Sequence, residues 1–501
     1  MPAPPPMPLP AIDGQVPTIV HLSAEYYPYA RTGGLAEAAW GLHRLQHGRG
    51  RPTAALLPLF RTVRKHLVDP VQVGDPLTLH FGTRTETFRL WRDQQPASGT
   101  PSWFIEHGEL FDRDGIYGEG GADYPDNHFR FAAFSAAAIA FLPRLTSGPV
   151  VLHAHDWHAA LASVYLRTWF AGDPWFDRIP VIMSVHNGGY QGHFPSRIIP
   201  EIGLPWSLYR FDALEWHDQV NLLKGGLMHC DVATTVSPTH AIELRTAAGG
   251  FGLHEVYQWM GERFTGILNG IDQHEWDPAV DPKLVANYGA EDLGGKAACK
   301  AELQRRYALP EDAGVPLVAL AGRLVTQKGL DLIIHNAHLF RMHAQFVFLG
   351  SGERKFEEGL RTIQQHLPGR IGIETAFSDD LEHAMMAGAD IFMMPSQYEP
   401  CGLTQMRAQR YGTIPVARRV GGLADTIDDG VSGFLFDAYD ERALAGGMWR
   451  ALTELGAPRA WREMQDAAMR KDFDWSNVAE AYVRIYGRAL RRRAAMVRGE
   501  G

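Results

Sequence analysis

The chain has 501 residues, more than one hydrophobic core usually supports, so we expect two or three domains. Hydrophobic residues make up 45% and charged residues 21% of the composition, the balance of an ordinary globular enzyme. The 57 acidic residues outnumber the 48 basic ones and give a formal charge of −9, which argues against a nucleic-acid-binding protein.

The chain begins with MPAPPPMPLP, which lacks the charged start and apolar core of a signal peptide. We interpret residues 1–16 as a disordered, proline-rich leader. Apolar runs stay shorter than the roughly 18 residues that a membrane-spanning helix needs. The three cysteines, Cys230, Cys299 and Cys401, are far apart in the sequence, and their spacing indicates neither a disulfide framework nor a zinc site. So few cysteines favour a reducing compartment. These features predict a cytoplasmic protein with no membrane partner.

From about residue 17, short apolar runs alternate with helix-length segments, which is typical of βαβ units and parallel sheets. The predicted strands form two sets, Thr18–Ser23, Val150–His155, Val181–His186 and Val232–Ser237, then Pro316–Leu324, Gln345–Leu349, Ile371–Ala376, Asp390–Pro395 and Pro415–Arg418. Two sets predict an α/β protein with two doubly wound, Rossmann-like domains facing across a central cleft. We expect the domains to span residues 17–265 and 266–473, with a closing helix in 474–501 that packs back on the N-terminal domain.

Ligands of open α/β sheets bind beyond the carboxyl ends of the strands, and the first unusual cluster lies at such a position. It starts at Glu25 and runs to Arg31, Gly33 and Gly34, directly before a predicted helix. Backbone N–H groups of a Gly-Gly pair at a helix N-terminus suit a diphosphate, and Arg31 could add a charge-assisted contact. The alternative interpretation is an ordinary tight turn.

The second cluster, HAHDWH at His153–His158, follows the strand that begins at Val150. A metal site is one interpretation, but the HxH spacing has no evident third or fourth ligand nearby. We favour Asp156 and His158 as ligands of sugar hydroxyls. His186, in the third cluster SVHNGGYQG, also follows a strand. A single histidine is more often structural, yet its position beside a glycine-rich loop favours a functional role.

The second domain supplies two cations at one strand end. Arg323 closes a predicted strand, and Lys328 follows five residues later at the start of a helix. Together they could neutralise a departing diphosphate, whereas the alternative is a solvated surface. Glu399 precedes a proline and therefore lies in an extended or turn conformation, where it could accept hydrogen bonds from two sugar hydroxyls or simply be solvated.

These clusters, in this order, resemble the bacterial glycogen synthase and plant starch synthase family from about Val20 to Tyr486. The motifs that carry the resemblance are HAHDWH (His153–His158), SVHNGGYQG (Ser184–Gly192), TVSPT (Thr235–Thr239), GILNGID (Gly266–Asp272), GRLVTQKGLDL (Gly322–Leu332), YEPCGLTQM (Tyr398–Met406) and VGGLADT (Val420–Thr426).

The resemblance implies the GT-B fold, ADP-glucose as donor, the non-reducing end of an α-1,4-glucan as acceptor, retention at the anomeric carbon, and no metal or other cofactor. It implies that Arg323 and Lys328 neutralise the diphosphate, Glu399 holds the transferred glucose, Asp156 positions sugar groups, and His186 lies against the glucose. The further substrate-binding residues that it implies are Glu25, Arg31, Gly33, Gly34, His158, Asn269, Cys401, Gly402, Leu403 and Thr404.

Two residues depart from the family pattern and keep alternatives open. The family's K-x-G-G-L motif has Arg31 in place of lysine here, and its following aspartate is Glu37. A GT-B glucosyltransferase that uses UDP-glucose or a small acceptor, and a non-catalytic glucan-binding relative, are the alternatives. Related GT-B transferases carry a second glutamate where this chain has Arg407, which fits the synthase family better. The protein is expected to be a monomer or a small homo-oligomer.

Overall fold

A computed structural model describes residues 9, 11–12, 14–376 and 378–500. Most of the expected proline-rich leader, residues 1–8, 10 and 13, lies outside the described residues. The chain forms two compact units. The first contains the chain up to Val236, Ala241–Ile267 and the residues from Trp475 onward, and the second contains Ser237–His240 and Leu268–Asp474.

The first unit is built on a mixed sheet. The strands of the first unit are β1 (Thr18–Leu22), β2 (Thr53–Pro58), β3 (Pro70–Gln72), β4 (Leu77–Phe81), β5 (Arg84–Asp93), β6 (Ser102–Glu106), β7 (Gly118–Glu119), β8 (Ala122–Asp123), β9 (Val150–His155), β10 (Val181–Val185), β11 (His193–Pro195), β12 (Glu215–Trp216), β13 (Gln219–Asn221), β14 (Val232–Thr235) and β15 (Phe264–Gly266). Strands β11, β13 and β12 form a separate small sheet, as do β7 and β8. The main sheet has the order β15-β14-β10-β9-β1-β2-β6-β5-β3, with β4 paired to β5. The strands from β15 to β6 run parallel, whereas β5 pairs antiparallel with β6, β3 and β4.

Helices flank this sheet. Those before residue 261 are α1 (Gly34–Gly48), α2 (Arg61–Arg64), α3 (Gly108–Phe111), α4 (Asn127–Leu145), α5 (Asp156–Leu166), α6 (Pro174–Asp177), α7 (Ile198–Glu201), α8 (Leu222–His229), α9 (Pro238–Leu244) and α10 (His254–Met260). Short 3-10 helices lie at Trp206–Leu208 and Gly261–Arg263. The main core lies between the sheet and helices such as α4 and α5, whose small residues allow close packing.

The second unit contains a parallel sheet. Its strands are β16 (Leu317–Ala321), β17 (Gln345–Leu349), β18 (Ile371–Glu374), β19 (Ile391–Met394), β20 (Ile414–Arg418) and β21 (Phe434–Phe436), in the order β18-β17-β16-β19-β20-β21. Its helices are α11 (Gly294–Arg306), α12 (Asp331–Ile334), α13 (Ala337–Phe340), α14 (Arg354–His366), α15 (Asp379–Gly388), α16 (Thr404–Arg410), α17 (Gly421–Thr426), α18 (Glu441–Leu455) and α19 (Pro458–Met469), with a 3-10 helix at Thr326–Lys328. A strand order that changes direction at β16 and β19 is that of a doubly wound domain.

The C-terminal segment belongs to the first unit. After a 3-10 helix at Trp475–Val478, α20 (Ala479–Val497) buries one apolar face against β1, β9 and α1. Trp475 lies directly on Gly41, where any side chain would clash with the indole. Within the described residues, we find no helix with both the length and the apolar character needed to cross a membrane.

The structure differs from the predicted strands in informative ways. Two of the predicted strands, Val150–His155 and Gln345–Leu349, have the predicted bounds. Strand β2, TAALLP, is fully buried and was not predicted, because periodicity alone does not distinguish a short apolar run from a buried helix segment. Ser237–His240 were expected in the first domain but belong to the second unit, where Ser237 donates to Pro400 O at 2.7 Å.

Candidate active site

The predicted site residues of the first unit follow adjacent strands. β1, β9 and β10 are neighbours and run parallel, so their carboxyl ends lie at one edge of the sheet. Glu25, Asp156 and His186 come within three residues of those ends. The topology therefore brings together three residues that are separated by up to 161 positions in the sequence. They lie at the kind of sheet edge where α/β enzymes bind ligands.

Asp156 braces the loop that carries His186. Its Oδ1 accepts the backbone N–H of His186 at 2.6 Å and that of Asn187 at 3.4 Å. Asp156 opens α5 with φ of 56°, a left-handed conformation that non-glycine residues rarely adopt. Burial raises the pKa of its carboxyl to about 7, although the two N–H donors act in the opposite direction. This carboxylate therefore orients the His186 peptide and titrates near neutral pH.

The His186 side chain contacts a buried group of histidines. Its Nε2 lies 2.9 Å from His155 Nδ1, and His155 Nε2 lies 3.0 Å from His21 Nδ1. Burial lowers the pKa of His186 to about 3 and that of His21 to about 4, which keeps these imidazoles neutral. Sequence reasoning missed His21, since a lone histidine in the apolar strand TIVHL gives no signal of its own.

The histidine cluster supplies the third candidate metal ligand that the HxH spacing lacked. Ring nitrogens of His21, His153 and His155 all lie within 4.8 Å of one another, because the register of β1 on β9 places His21 beside His153. These nitrogens, however, are already engaged. His153 bonds to Tyr486 at 2.8 Å and to Ser184 at 2.7 Å, and His21 and His155 bond to each other. The arrangement is that of a hydrogen-bonded network of neutral rings.

His158 is buried inside the first unit. Its ring stacks on Tyr117 at a centroid distance of 4.6 Å and meets Phe131 edge-on at 4.8 Å. Burial lowers its pKa to about 3, and its Nδ1 has no hydrogen-bond partner among the described residues. A buried polar atom of this kind is a place where a ligand group or a water can bind. This nitrogen is therefore one candidate for the predicted role in binding sugar hydroxyls.

Glu25 occupies the N-terminal loop of α1. Its carboxylate accepts the backbone N–H of Thr32 at 2.6 Å and of Gly33 at 3.1 Å, and the hydroxyl of Tyr117 at 2.7 Å. The Gly33 N–H, predicted to face a diphosphate, thus faces a carboxylate in this conformation. Gly34 is exposed and is the first residue of α1. The loop therefore already holds one anion, which shows that its N–H groups suit negative charge.

In the second unit, one of the two predicted cations, Lys328, lies beside the predicted carboxylate. Lys328 Nζ lies 2.6 Å from Glu399 Oε2, and the Ser396 hydroxyl donates to the same oxygen at 3.0 Å. Glu399 is 5% exposed, and the Lys328 side chain is 24% exposed. Arg323 follows β16 and donates to Gln327 at 3.4 Å. Since β16 and β19 are adjacent and parallel, Arg323 and Glu399 follow neighbouring strand ends.

Two glycines fix the loop that carries Glu399. Gly421, with φ of 43°, packs directly on the carbonyl of Glu399, and Gly422 donates its N–H to that carbonyl at 3.0 Å. A Cβ on either residue would collide with the backbone of Glu399 or Cys401. The Gly-Gly pair of the motif VGGLADT is therefore needed for close backbone approach.

The remaining predicted residues lie around the start of α16. Cys401 is buried, and burial raises the pKa of its thiol to about 12, while the backbone of Asn269 hydrogen-bonds its sulfur. Gly402 has φ of 69°, and Leu403 and Thr404 form the partly exposed first turn of α16. A protonated, buried thiol is a packing and shape element and not a nucleophile.

Two other sequence features have structural explanations. Arg407 is buried, forms a 2.9 Å ion pair with Glu382 and stacks its guanidinium 4.1 Å from the ring of Trp276. Residues 112–114 form a D-x-D pattern near the start of a glycine-rich loop, and the sequence predicts that these aspartates belong to a turn. Both aspartates, Asp112 and Asp114, form ion pairs with Arg61.

Known proteins match the chain along nearly its whole length. The family model of the starch synthase catalytic domain matches residues 18–259, and that of glycosyl transferases group 1 matches residues 303–466. The glycogen synthase of Anaeromyxobacter sp. (strain Fw109-5) is 42% identical over 93% of this chain and 98% of its own. That of Syntrophotalea carbinolica is 39% identical over 94% and 99%.

Solved structures give the same result. The catalytic domain of Starch Synthase IV from Arabidopsis thaliana, bound to ADP and acarbose, superposes with a TM-score of 0.86 at 32% identity, covering 95% of this chain and 99% of that one. Sucrose-phosphate synthase from Thermosynechococcus elongatus superposes with a TM-score of 0.59 at 16% identity over 94% and 98%, a likeness of fold alone. The chain has two α/β units and matches these relatives over nearly its whole length. It therefore belongs to the glycogen synthase and starch synthase family and is a glycosyltransferase of the GT-B fold.

Proposed function

We propose that this enzyme is a glycogen synthase that transfers glucose from ADP-glucose to the non-reducing end of an α-1,4-glucan with retention of configuration. The observation that carries the proposal is the Lys328–Glu399 pair beside Arg323, at the ends of two adjacent parallel strands. Two cations and a carboxylate complement a sugar nucleotide, because the cations can bind its diphosphate and the carboxylate can accept hydrogen bonds from the hydroxyls of its sugar ring. The ADP-bound starch synthase relative supports the choice of adenine nucleotide.

In this scheme the second unit stabilises the leaving group. An ammonium has three N–H donors, so Lys328 can hold Glu399 with one and phosphate oxygens with the others. Arg323 adds a second fixed positive charge. Placing cations where negative charge develops is worth about 3–4 kcal/mol per donor, by analogy with oxyanion-hole deletions. Glu399 accepts Lys328 and Ser396 on Oε2 and offers its other oxygen to hydroxyls of the transferred glucose.

In the first unit, Asp156 and His186 are the residues that we assign to the reacting sugar. The Asp156 carboxylate accepts the N–H of His186 and also that of Asn187, which lies in the same planar peptide as the His186 carbonyl. That carbonyl therefore points away from Asp156, and we assign it to the positive charge that develops at the anomeric carbon. The His186 ring is neutral and offers a hydrogen-bonding nitrogen to the sugar. His158 Nδ1 and the N–H groups around Gly34 are the further polar groups that we assign to the substrates.

Retention then follows from attack on the face that the diphosphate leaves. The bond between the anomeric carbon and the phosphate oxygen breaks, the acceptor hydroxyl oxygen bonds to that carbon, and its proton moves to the departing phosphate. This route needs no protein nucleophile. Trapping a glucosyl-enzyme on Glu399 or Asp156 would contradict it.

The test is incorporation of radiolabelled glucose into glycogen and maltodextrin, with ADP-glucose and UDP-glucose compared at saturating acceptor. We expect strong transfer from ADP-glucose and linkage analysis that shows only new α-1,4 bonds. Preferential transfer from UDP-glucose would reassign the donor. A folded protein that binds glucan and transfers from neither donor would overturn the proposal, and Lys328→Ala serves as the negative control.

A further inference from the structure

A line of hydrogen bonds connects His186 to a buried glutamine. From His186 Nε2 it passes to His155 Nδ1 at 2.9 Å, from His155 Nε2 to His21 Nδ1 at 3.0 Å, and from His21 Nε2 to Gln46 Oε1 at 2.8 Å. These four residues are termed the histidine chain below. Gln46, His21 and His155 are each at most 1% exposed, so their bonds form away from bulk water, where hydrogen bonds polarise one another.

Each ring of the histidine chain is neutral. Burial lowers the pKa of His21 to about 4, that of His186 to about 3, and that of His155 well below its ordinary value, and the neighbouring rings lower the last further. A neutral imidazole has one N–H donor and one lone pair. Every bond between two rings therefore needs a donor nitrogen on one and an acceptor nitrogen on the other, and one choice determines all the rest.

Gln46 makes that choice. Its amide nitrogen donates to the Tyr486 hydroxyl at 2.7 Å, which leaves its Oε1 facing His21. An amide oxygen only accepts, so His21 must carry its proton on Nε2 and its lone pair on Nδ1. His155 then donates from Nε2 and accepts at Nδ1. His186 consequently donates from Nε2, and its Nδ1 carries a lone pair.

A second branch leaves Gln46 in the other direction. Tyr486 accepts from Gln46 and donates to His153 Nδ1 at 2.8 Å, and His153 Nε2 donates to Ser184 at 2.7 Å. Ser184 is in turn bonded to Thr234 at 2.7 Å. This branch is as buried as the histidine chain but does not lead to the His186 ring, so its last member provides a matched control.

We propose that Gln46 is a positioning residue that, through His21 and His155, holds His186 in the tautomer with its proton on Nε2 and a lone pair on Nδ1. The consequence for catalysis rests on the proposed function, in which His186 meets the bound glucose. In this tautomer Nδ1 accepts a hydrogen bond from a sugar hydroxyl. With the amide of Gln46 reversed, every ring would reverse and His186 would present an N–H at Nδ1.

Neutron crystallography of the deuterium-exchanged protein tests the proposal directly, because X-ray maps at ordinary resolution do not show these protons. We expect deuterium on Nε2 of His21, His155 and His186, and the ND2 group of Gln46 on the side of Tyr486. Deuterium on Nδ1 of His186 would overturn the proposal. This readout needs no activity, so it is independent of whether the protein is a glycogen synthase.

Variants test whether Gln46 is the cause. Gln46→Met removes the acceptor, and we expect ring-15N NMR to show His186 at least partly converted to the Nδ1–H form, with kcat/KM for ADP-glucose about tenfold lower, the value of one hydrogen bond. Thr234→Val removes a hydroxyl at the end of the other branch and should leave the His186 signals and kcat/KM unchanged. An unaltered His186 tautomer in folded Gln46→Met would overturn the proposal.

Gln46→Glu provides a second variant of nearly the same shape. A carboxylate still accepts from His21, so the His186 tautomer should be retained. It also accepts from Tyr486, whose only proton is then used, so His153 must donate from Nδ1 instead of Nε2. At a pH high enough to keep the new carboxyl ionised in this buried site, a reversed His153 with an unchanged His186 is the expected NMR result, and reversal of His186 would contradict the proposal.

Discussion

The guanidinium of Arg31 lies 3.0 Å from the carboxylate of Glu37. In the glycogen synthase and starch synthase family, the glycine-rich motif has lysine where this chain has Arg31 and aspartate where it has Glu37. Arginine for lysine and glutamate for aspartate conserve both charges, and in this chain the two exchanged residues contact each other. The two departures therefore meet in one ion pair, between a longer acid and a longer, forked base.

This pairing predicts unequal effects on donor binding. Arg31→Ala should raise KM for ADP-glucose several-fold, because a cation near the diphosphate is lost. Glu37→Gln should leave KM unchanged or should lower it, since the ion pair that Arg31 makes with Glu37 is removed. The pair is partly exposed, so its coupling in a double-mutant cycle of unfolding should be only about 0.2–1 kcal/mol. A KM raised equally by both changes would show that the ion pair itself is what the donor requires.

The Lys328–Glu399 pair predicts a large loss of turnover. Lys328→Ala should lower kcat about 100-fold or more, because about 3 kcal/mol of leaving-group stabilisation is lost. Lys355→Ala is the matched control, since Lys355 pairs with Glu353 in the same unit but its side chain is 60% exposed. Steady-state kinetics on both variants, with circular dichroism to verify folding, makes the comparison. Near-normal turnover of folded Lys328→Ala would remove its assigned role.

Asp156 predicts a pH dependence of activity. With a pKa of about 7, its carboxylate is half ionised near neutrality, and only the ionised form accepts the His186 N–H with full strength. The value of kcat/KM should therefore rise between about pH 6 and pH 8. Asp156→Asn should remove this rise and keep kcat/KM near the low-pH level of the wild type at every pH. A wild-type profile that is flat over this range would contradict the assignment.

The same shift predicts a pH dependence of stability. The folded pKa of about 7 lies above the unfolded value of about 3.9, so between these values the folded state binds more protons. The contribution of Asp156 to stability is thus fully present below about pH 4 and is lost as pH rises to about 7. Relative to wild type, Asp156→Asn should be more stable at pH 8 than at pH 5, measured by urea unfolding at both pH values.

The glycine pair predicts a backbone effect at the site. Gly421→Ala places a Cβ against the Glu399 carbonyl and strains a φ of 43°, so it should lower both melting temperature and kcat. Gly446→Ala is the control, because Gly446 lies within α18 and an added Cβ meets no described atom within 4 Å. It should be neutral or stabilising by up to about 1 kcal/mol. Equal effects of the two changes would contradict this explanation.

The buried ion pair of Arg407 with Glu382 predicts that Arg407→Glu, which introduces the second glutamate of related transferases, is not tolerated as a single change. Arg407→Glu would bury two carboxylates beside each other, since Arg407 and Glu382 are about 5% exposed and 2.9 Å apart. Breaking such a pair costs about 3–5 kcal/mol, and the added repulsion increases the cost. We expect little soluble, folded protein from this variant, and partial recovery on adding Glu382→Gln. Wild-type stability of the single variant would contradict the structural role.

Several site residues could be predicted from the sequence because their signal is local. Around Asp156, Arg323 and Glu399 a strand ends and a helix begins within a dozen residues, and parallel strands align their carboxyl ends. Neighbouring residues determine this pattern, so the predicted strands and the two-unit α/β fold could be derived from periodicity and turn residues, whereas the buried strand β2 could not.

The contacts among those residues could not be predicted, because they depend on sheet register and on long-range packing. His21 reaches His155 only because β1 aligns with β9, and Gln46 is fixed by Tyr486, 440 residues later in the chain. Likewise, the Glu25 carboxylate accepts hydrogen bonds from the N–H groups of Thr32 and Gly33 only because the loop folds back on Glu25. The sequence by itself determined which chemical groups stand at the strand ends. Only the tertiary structure decided which of them hydrogen-bond, because a hydrogen bond requires its two atoms to be about 3 Å apart, a distance that local propensity does not specify.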